Sequence, residues 1–172
     1  MTHDAVRLEP INESNVKRVY DLVVAPGQEA FVAPNAWSLA QAVAEAAIAW
    51  PRAVVAGDEV VGFLMLEIDP DEEDGRSFWL WRLMIGAERQ RRGYGTAAVR
   101  LAIEEVRRRG GTELYTSWVP HPDGPGPFYE RLGWIPTGEM DDDEIVACLD
   151  LGDLPGDLSG DLPGGRNAPQ RG

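Results

Sequence analysis

A chain of 172 residues with 44% hydrophobic and 26% charged side chains has the size and composition of one globular domain with a sizeable core. Its formal net charge of −13 argues against nucleic acid as a partner and is compatible with a cationic one. A single cysteine, Cys148, excludes an internal disulfide, and no apolar run approaches membrane-spanning length.

Nothing at Met1-Thr2-His3-Asp4 has the pattern of a signal peptide, so a cytoplasmic location is expected. Val6-Arg7-Leu8 alternates as a short strand ended by Pro10. Asn12 is the expected N-cap of a first helix, with Ile11 and Val16 as a hydrophobic staple. Val16, Val19, Tyr20 and Val23 at i, i+3, i+4 and i+7 predict an inward face, stopped by Pro26-Gly27. Gln28 to Trp37 is a linker. Ser38-x-x-Gln41 predicts a capping box opening an alanine-rich helix that runs to about Trp50. Ala53 to Ala56 and Val60 to Ile68 predict a hairpin across Gly57-Asp58. The carboxylate-dense stretch from Asp69 to Gly75 lacks the length and closing glutamate of a calcium loop, and no metal site is expected.

Phe78 to Ile85 is apolar on nearly both faces, which predicts a central strand covered on both sides. Arg82 is the exception, and a buried guanidinium calls for a carboxylate partner. Tyr94 to Arg109 predicts the longest helix. Its buried stripe is Val99, Ala102, Ile103 and Val106, with Glu104–Arg108 and Glu105–Arg109 as supporting pairs. Gly110-Gly111 ends it. Glu113 to Val119 predicts a strand, Phe128 to Trp134 a short helix, and Glu144 to Asp150 a last strand after the acidic turn Asp141-Asp142-Asp143. From Gly152 a recurring Gly-Asp-Leu leaves too little apolar surface to offset ordering entropy, so 152–172 is expected to be a disordered tail.

The organising stretch lies between the central strand and the longest helix. Gly93 and Gly95 let backbone N–H groups approach a ligand, and the helix N-terminus adds unsatisfied donors and the positive end of its dipole. Arg89, Arg91 and Arg92 raise the local potential. An ordinary strand–helix turn on a solvated basic edge is the alternative. No Gly-Lys-Ser/Thr follows, so a Walker loop is excluded. Gly93-Tyr94-Gly95 also lacks the third glycine of a Rossmann fingerprint.

Gln90-Arg91-Arg92-Gly93-Tyr94-Gly95 fits the pattern Q/R-x-x-G-x-G/A, and between a strand and a helix it resembles the acetyl-CoA pyrophosphate loop of the GNAT superfamily of N-acetyltransferases. The order β-α-α-β-β-β-α-β-α-β from about Val6 to Asp150 also resembles that fold. The resemblance implies a mixed α/β (α+β) domain over 1–151, with a central sheet splayed between its fourth and fifth strands and flanked by helices. It further implies acetyl-CoA as co-substrate. The backbone of Met84 and Ile85 would hold the pantetheine, and Gln90, Arg91, Arg92, Gly93, Tyr94, Gly95 and Thr96 the pyrophosphate. Tyr129, within Phe128-Tyr129-x-x-Leu132-Gly133-Trp134, matches the general acid; an unperturbed phenol near pKa 10 keeps a proton to donate to the departing thiolate. Its alternative is a half-buried aromatic on a short helix.

Gln28-Glu29-x-Phe31-Val32-Ala33-Pro34-Asn35-x-x-Ser38-Leu39-Ala40 is similar to the acceptor-side segment of bacterial spermine/spermidine-acetyltransferase-like members. That branch implies a small cationic amine, plausible as a polyamine, bound by Glu29, Phe31, Asn35, Trp37 and Trp81. Other outcomes are acetylation of an aminated antibiotic or another metabolite, or a non-catalytic acyl-CoA-binding module. Phe78 to Ile85 carries no carboxylate to act as base, which leaves Glu29, the Asp141 to Glu144 cluster and His121 open. Pro122 stands where relatives often have a CoA-contacting asparagine. The expected partner is the small-molecule amine, with no nucleic acid and no membrane; a homodimer is left open.

Overall fold

Near-continuous apolar runs, buried on both faces, build most of the first half of the sheet. In the computed structural model, which describes residues 5–152, β1 (Val6–Pro10), β2 (Ala49–Ala56), β3 (Glu59–Ile68) and β4 (Phe78–Ile85) pair antiparallel in succession. Helix α3 (Tyr94–Arg108) then crosses over to β5 (Glu113–Trp118), which lies parallel to β4. β7 (Glu144–Asp150) pairs antiparallel with β5, and β6 (Ile135–Asp141) pairs with β7 at the edge, for the order β1-β2-β3-β4-β5-β7-β6. The expected tail, apart from Gly152, lies outside the described residues.

Strand alternation sends side chains to two cores. On one face, Val54, Leu64, Leu66 and Leu80 pack with Val99, Ala102, Ile103 and Val106 of α3, which is the predicted stripe. On the other, Ala53, Val55, Phe63 and Met65 pack with Val19 of α1 (Val16–Tyr20) and Ala42 of α2 (Asn35–Ala44). Glu105 of α3 binds Arg109 at 2.7 Å and also Arg108, so the expected Glu104–Arg108 pair gives way to the nearer-buried carboxylate.

Several predicted elements are revised. The first helix is a single short turn, and only Val19 of its predicted inward face is buried; Tyr20 and Val23 are 59% and 69% exposed. Asn12 does not cap it with its side chain. Its Oδ1 accepts from the Ser14 N–H, while its carbonyl accepts from Val16 N–H, and Asn15 is the capping position. The second helix starts at Asn35, not after Ser38, so Ser38 lies buried inside it and the capping box does not form. It ends at Ala44. Trp50 is drawn into β2 instead, where it pairs with Leu66, because sheet pairing outweighs the alanine-rich helical propensity of the segment. Pro51 is tolerated there because β1 pairs no further than Arg52.

β6 has no counterpart among the predicted elements. Pro136 and a glycine at φ +89°, Gly138, break its register with β7, and every residue of it is exposed, so it shows neither alternation nor a buried face.

The decisive feature is what β4 does with β5. They share one ladder pair, Trp79 with Tyr115, reinforced where the Thr116 hydroxyl donates to the Leu80 carbonyl at 3.0 Å. Beyond that point they diverge. β4 is therefore less covered than its apolar sequence predicts: only Leu80 and Met84 are fully buried. Its register with β3 also slips, Met65 facing Arg82 and Leu66 facing Leu80, which leaves Trp81 as the extra residue of a bulge at the point of divergence.

Candidate functional site

The divergence opens a cleft of about 1130 Å³, lined from both faces of the sheet. On the α3 face it is walled by Ile85, the loop from Gln90 to Thr96, and Phe128 and Tyr129 of α4 (Gly126–Arg131). On the other face it is walled by Glu67, Trp79, Trp81, Arg82, Ser117 and Glu144, with Glu29 and Phe31 above them.

The loop is shaped by its own backbone. Gln90 ties it down: its side-chain N–H group donates to the Ile85 carbonyl at 3.0 Å and to the Gln28 side-chain oxygen at 2.8 Å. Arg91 then takes φ +60° and Gly93 φ +80°, two left-handed residues that turn the chain into the first turn of α3. A non-glycine residue held there is strained, which marks functional loops. The first N–H groups of α3 have no intrahelical partner and no side chain caps them, and nothing lies within 4 Å of where a Cβ on Gly93 would sit. Gly95 serves packing as well, since its Cβ would meet the Phe128 ring at 3.4 Å. Arg91 and Arg92 are exposed and have no ion-pair partner among the described residues, whereas Arg89 is bound to Glu59 at 2.7 Å. Open donors, a positive dipole end and free guanidinium groups make a fit for a pyrophosphate.

Of the residues expected to hold the cofactor, Met84, Ile85, Gln90, Arg91, Gly93, Tyr94, Gly95 and Thr96 line the cleft, and Arg92 does not. Tyr129 also lines it. Its ring stacks on Trp118 at 5.6 Å and meets Phe128 and Trp134 edge-on at 5.2 and 5.5 Å. Burial pushes its phenol up to about 12, the Thr116 hydroxyl opposes the shift and the Glu144 charge adds to it. The phenol therefore holds its proton across the whole neutral range.

Among the acceptor candidates, Glu29, Phe31 and Trp81 line the cleft, while Asn35 and Trp37 do not. Asn35 is buried and donates to the Val19 carbonyl at 2.8 Å, fastening α2 to α1. Trp37 is 61% exposed. Both sit on α2 because that helix begins earlier than its capping signals predict. Glu29 accepts from the Gly27 N–H at 2.7 Å, and the Phe31 ring lies 5.2 Å from that of His121. The segment between α1 and α2 thus meets the loop after β5 at the rim. His121 is exposed, and its Nδ1 accepts from the Asp123 N–H at 3.1 Å.

Arg82 does not find the carboxylate expected of it. Its guanidinium donates to the Gln41 side-chain oxygen at 3.1 Å and the Trp81 carbonyl at 2.7 Å, and its Nε has no partner. Burial lowers its pKa, and the charges of Glu144 and Glu45 oppose the shift. Glu144 itself accepts a hydrogen bond from the Ser117 hydroxyl.

Glu67 lines the cleft as well, and the sequence reading does not single it out. Glu67 is half-buried, and its carboxyl is raised to about 7 by burial first and then by the charges of Glu72 and Asp69. Carboxylate oxygens of these three lie within 4.8 Å of one another. The available signal is its parity with Phe63 and Met65, which puts a carboxylate on a face otherwise apolar.

A model of the acetyltransferase (GNAT) family matches residues 16–134. Among solved structures, an acetyltransferase from Thermus thermophilus is similar at 19% identity and a TM-score of 0.69, over 87% of this chain and 100% of its own. An aminoglycoside 6'-N-acetyltransferase complexed with coenzyme A is similar at 20% identity and 0.65, over 87% and 99%. The ribosomal-protein-S18-alanine N-acetyltransferase from Escherichia coli is similar at 17% identity and 0.63, over 90% and 99%. Comparison with curated proteins finds no match.

Proposed function

The chain belongs to the acetyltransferase (GNAT) family, and from that premise we propose that it moves the acetyl group of acetyl-CoA onto a primary amine of a small cationic acceptor, a polyamine being the best fit. The observation that carries the acceptor class is the two-sided cleft. Its α3 face offers an anion-binding loop, and its opposite face offers carboxylates and indoles suited to a flexible cation.

Acetyl-CoA supplies an activated acyl group when bound. Gln90, Arg91, Gly93, Tyr94, Gly95 and Thr96 would hold its pyrophosphate, and Met84 and Ile85 its pantetheine. Holding a thioester beside an amine makes attack effectively intramolecular. A backbone N–H at the divergence of β4 and β5 would stabilise developing charge on oxygen. Tyr129 would donate its proton to the leaving thiolate; among the described residues it is the one buried phenol in this cleft. Glu29, Phe31 and Trp81 would face the acceptor.

A thiol-release assay with acetyl-CoA against an amine panel tests the reading. Spermidine is expected to give a higher kcat/KM than a neutral-bodied monoamine. Preference for the monoamine would remove the polyamine while keeping the acetyltransferase, and an aminoglycoside outranking both would shift the acceptor class.

A further inference from the structure

Resting on that reading, we propose that Glu67 is the general base of the transfer, taking the proton from the acceptor ammonium where β4 parts from β5.

β4 carries no carboxylate, so the base must come from a neighbouring element. Glu67 pairs with Trp79 across β3–β4, and Trp79 is the residue that makes the last pairing with β5. Its carboxylate thus stands in the cross-strand row from which the cleft opens. Its parity with Phe63 and Met65 places it on the face opposite the α3 loop, so an amine and a thioester would meet between them. The bulged Trp81 supplies the remaining contact, its indole favouring the charged form of Glu67.

Two of the competing carboxylates are engaged by other groups. Glu144 is bound by the Ser117 hydroxyl and faces the Arg82 charge. Glu29 is exposed and takes the Gly27 N–H.

The surroundings also set the basicity. Glu72 and Asp69 from the loop after β3, and Glu45 from the end of α2, all disfavour the charge on Glu67, after burial itself; Trp81 from β4 alone opposes them. A carboxylate at about 7 lies roughly three units from an alkylammonium near 10.4, where an ordinary glutamate lies about six away. The smaller gap makes the transfer less uphill.

Protons and electron pairs balance. The N–H bond of the ammonium breaks, its pair stays on nitrogen, and the proton goes to Glu67. That pair forms the C–N bond to the thioester carbon. The C–S bond breaks with its pair on sulfur, which takes the Tyr129 proton. Nitrogen then gives up a second proton to Tyr129 through water, and Glu67 releases its own to solvent, one proton per turnover.

The test compares full-length wild type, Glu67→Gln and Glu67→Asp by thiol release between pH 5.5 and 9, using the best amine of the panel. Because the carboxylate must be charged to accept a proton, wild-type kcat/KM is expected to rise with pH and level off above about 7. Glu67→Gln should be roughly a hundredfold slower at pH 7.5 and lack that limb, with acetyl-CoA affinity unchanged by calorimetry. Glu67→Asp should keep the limb at a reduced rate. A second readout needs no turnover. The native carboxyl holds its proton up to about 7 and the unfolded one to about 4.5, so wild-type thermal stability should fall as pH rises across that window, and Glu67→Gln should not show the fall. A Glu67→Gln enzyme within threefold of wild type with the same limb overturns the proposal, all the more if Glu144→Gln removes it. Absence of turnover on every amine by wild type overturns the acetyltransferase reading and this proposal together.

Discussion

Burial raises the proton affinity of Tyr129 as it does that of Glu67, and a phenol in the proposed general-acid role, giving up its proton only at C–S cleavage, would gain nothing from being ionised earlier. Replacing Tyr129 with Phe keeps the ring that Trp118, Phe128 and Trp134 pack against and removes only the donor. Tyr129→Phe is therefore expected to lower kcat by roughly a hundredfold with acetyl-CoA affinity unchanged, as read by single-turnover kinetics and calorimetry. Full kcat with chemistry rate-limiting would leave the side chain a purely packing role. Gly93 makes the complementary case. Space around it is open but its φ is +80°, so Gly93→Val adds a β-branched side chain to a left-handed position and blocks the loop amides. Acetyl-CoA affinity should fall tenfold or more, and a folded variant with wild-type affinity would dissociate the loop from the pyrophosphate.

At the scale of elements, the legible parts are those where pattern and tertiary partner agree. The apolar run delimits β4 from Phe78 to Ile85 as it stands, and the α3 stripe of Val99, Ala102, Ile103 and Val106 is buried as spaced. The illegible parts depend on what lies across from them. Val16, Tyr20 and Val23 have helical spacing, yet the chain leaves the helix at Asp21 and only Val19 reaches the core. β6 has no buried face to announce it. The site divides similarly. The loop signature is local and so is visible in sequence, whereas the proximity of Glu67 to the cleft depends on β3–β4 register and a bulge at Trp81. Thr116 is legible only in three dimensions too. Its hydroxyl holds the Leu80 carbonyl where the two strands separate. Thr116→Val, nearly isosteric, removes that bond from the carbonyl and should cost about 1 kcal/mol in urea unfolding. A variant as stable as wild type would show that the apex does not need the bond.

For the molecule as a whole, the net charge of −13 and the carboxylates at the cleft act on an incoming cation before contact is made. Exposed ion pairs contribute only about 0–1 kcal/mol each, so the effect belongs to the encounter more than to the bound state. The kcat/KM for spermidine should accordingly fall between roughly 50 mM and 500 mM salt, while that for a neutral-bodied monoamine changes less. Equal salt responses would assign the surface charge to solubility alone. The single backbone pairing between β4 and β5 carries a different consequence. One leaf of the sheet runs from β1 to β4 and the other from β5 to β6, and between them the ladder is one pair wide. Such a seam is where a domain opens short of unfolding. Amide hydrogen exchange should therefore protect the amides of β5 and β7 less than those of β2 and β3. Acetyl-CoA seated in the seam would replace the missing rungs and bring the two leaves to a common protection, making the co-substrate the strand that completes the sheet.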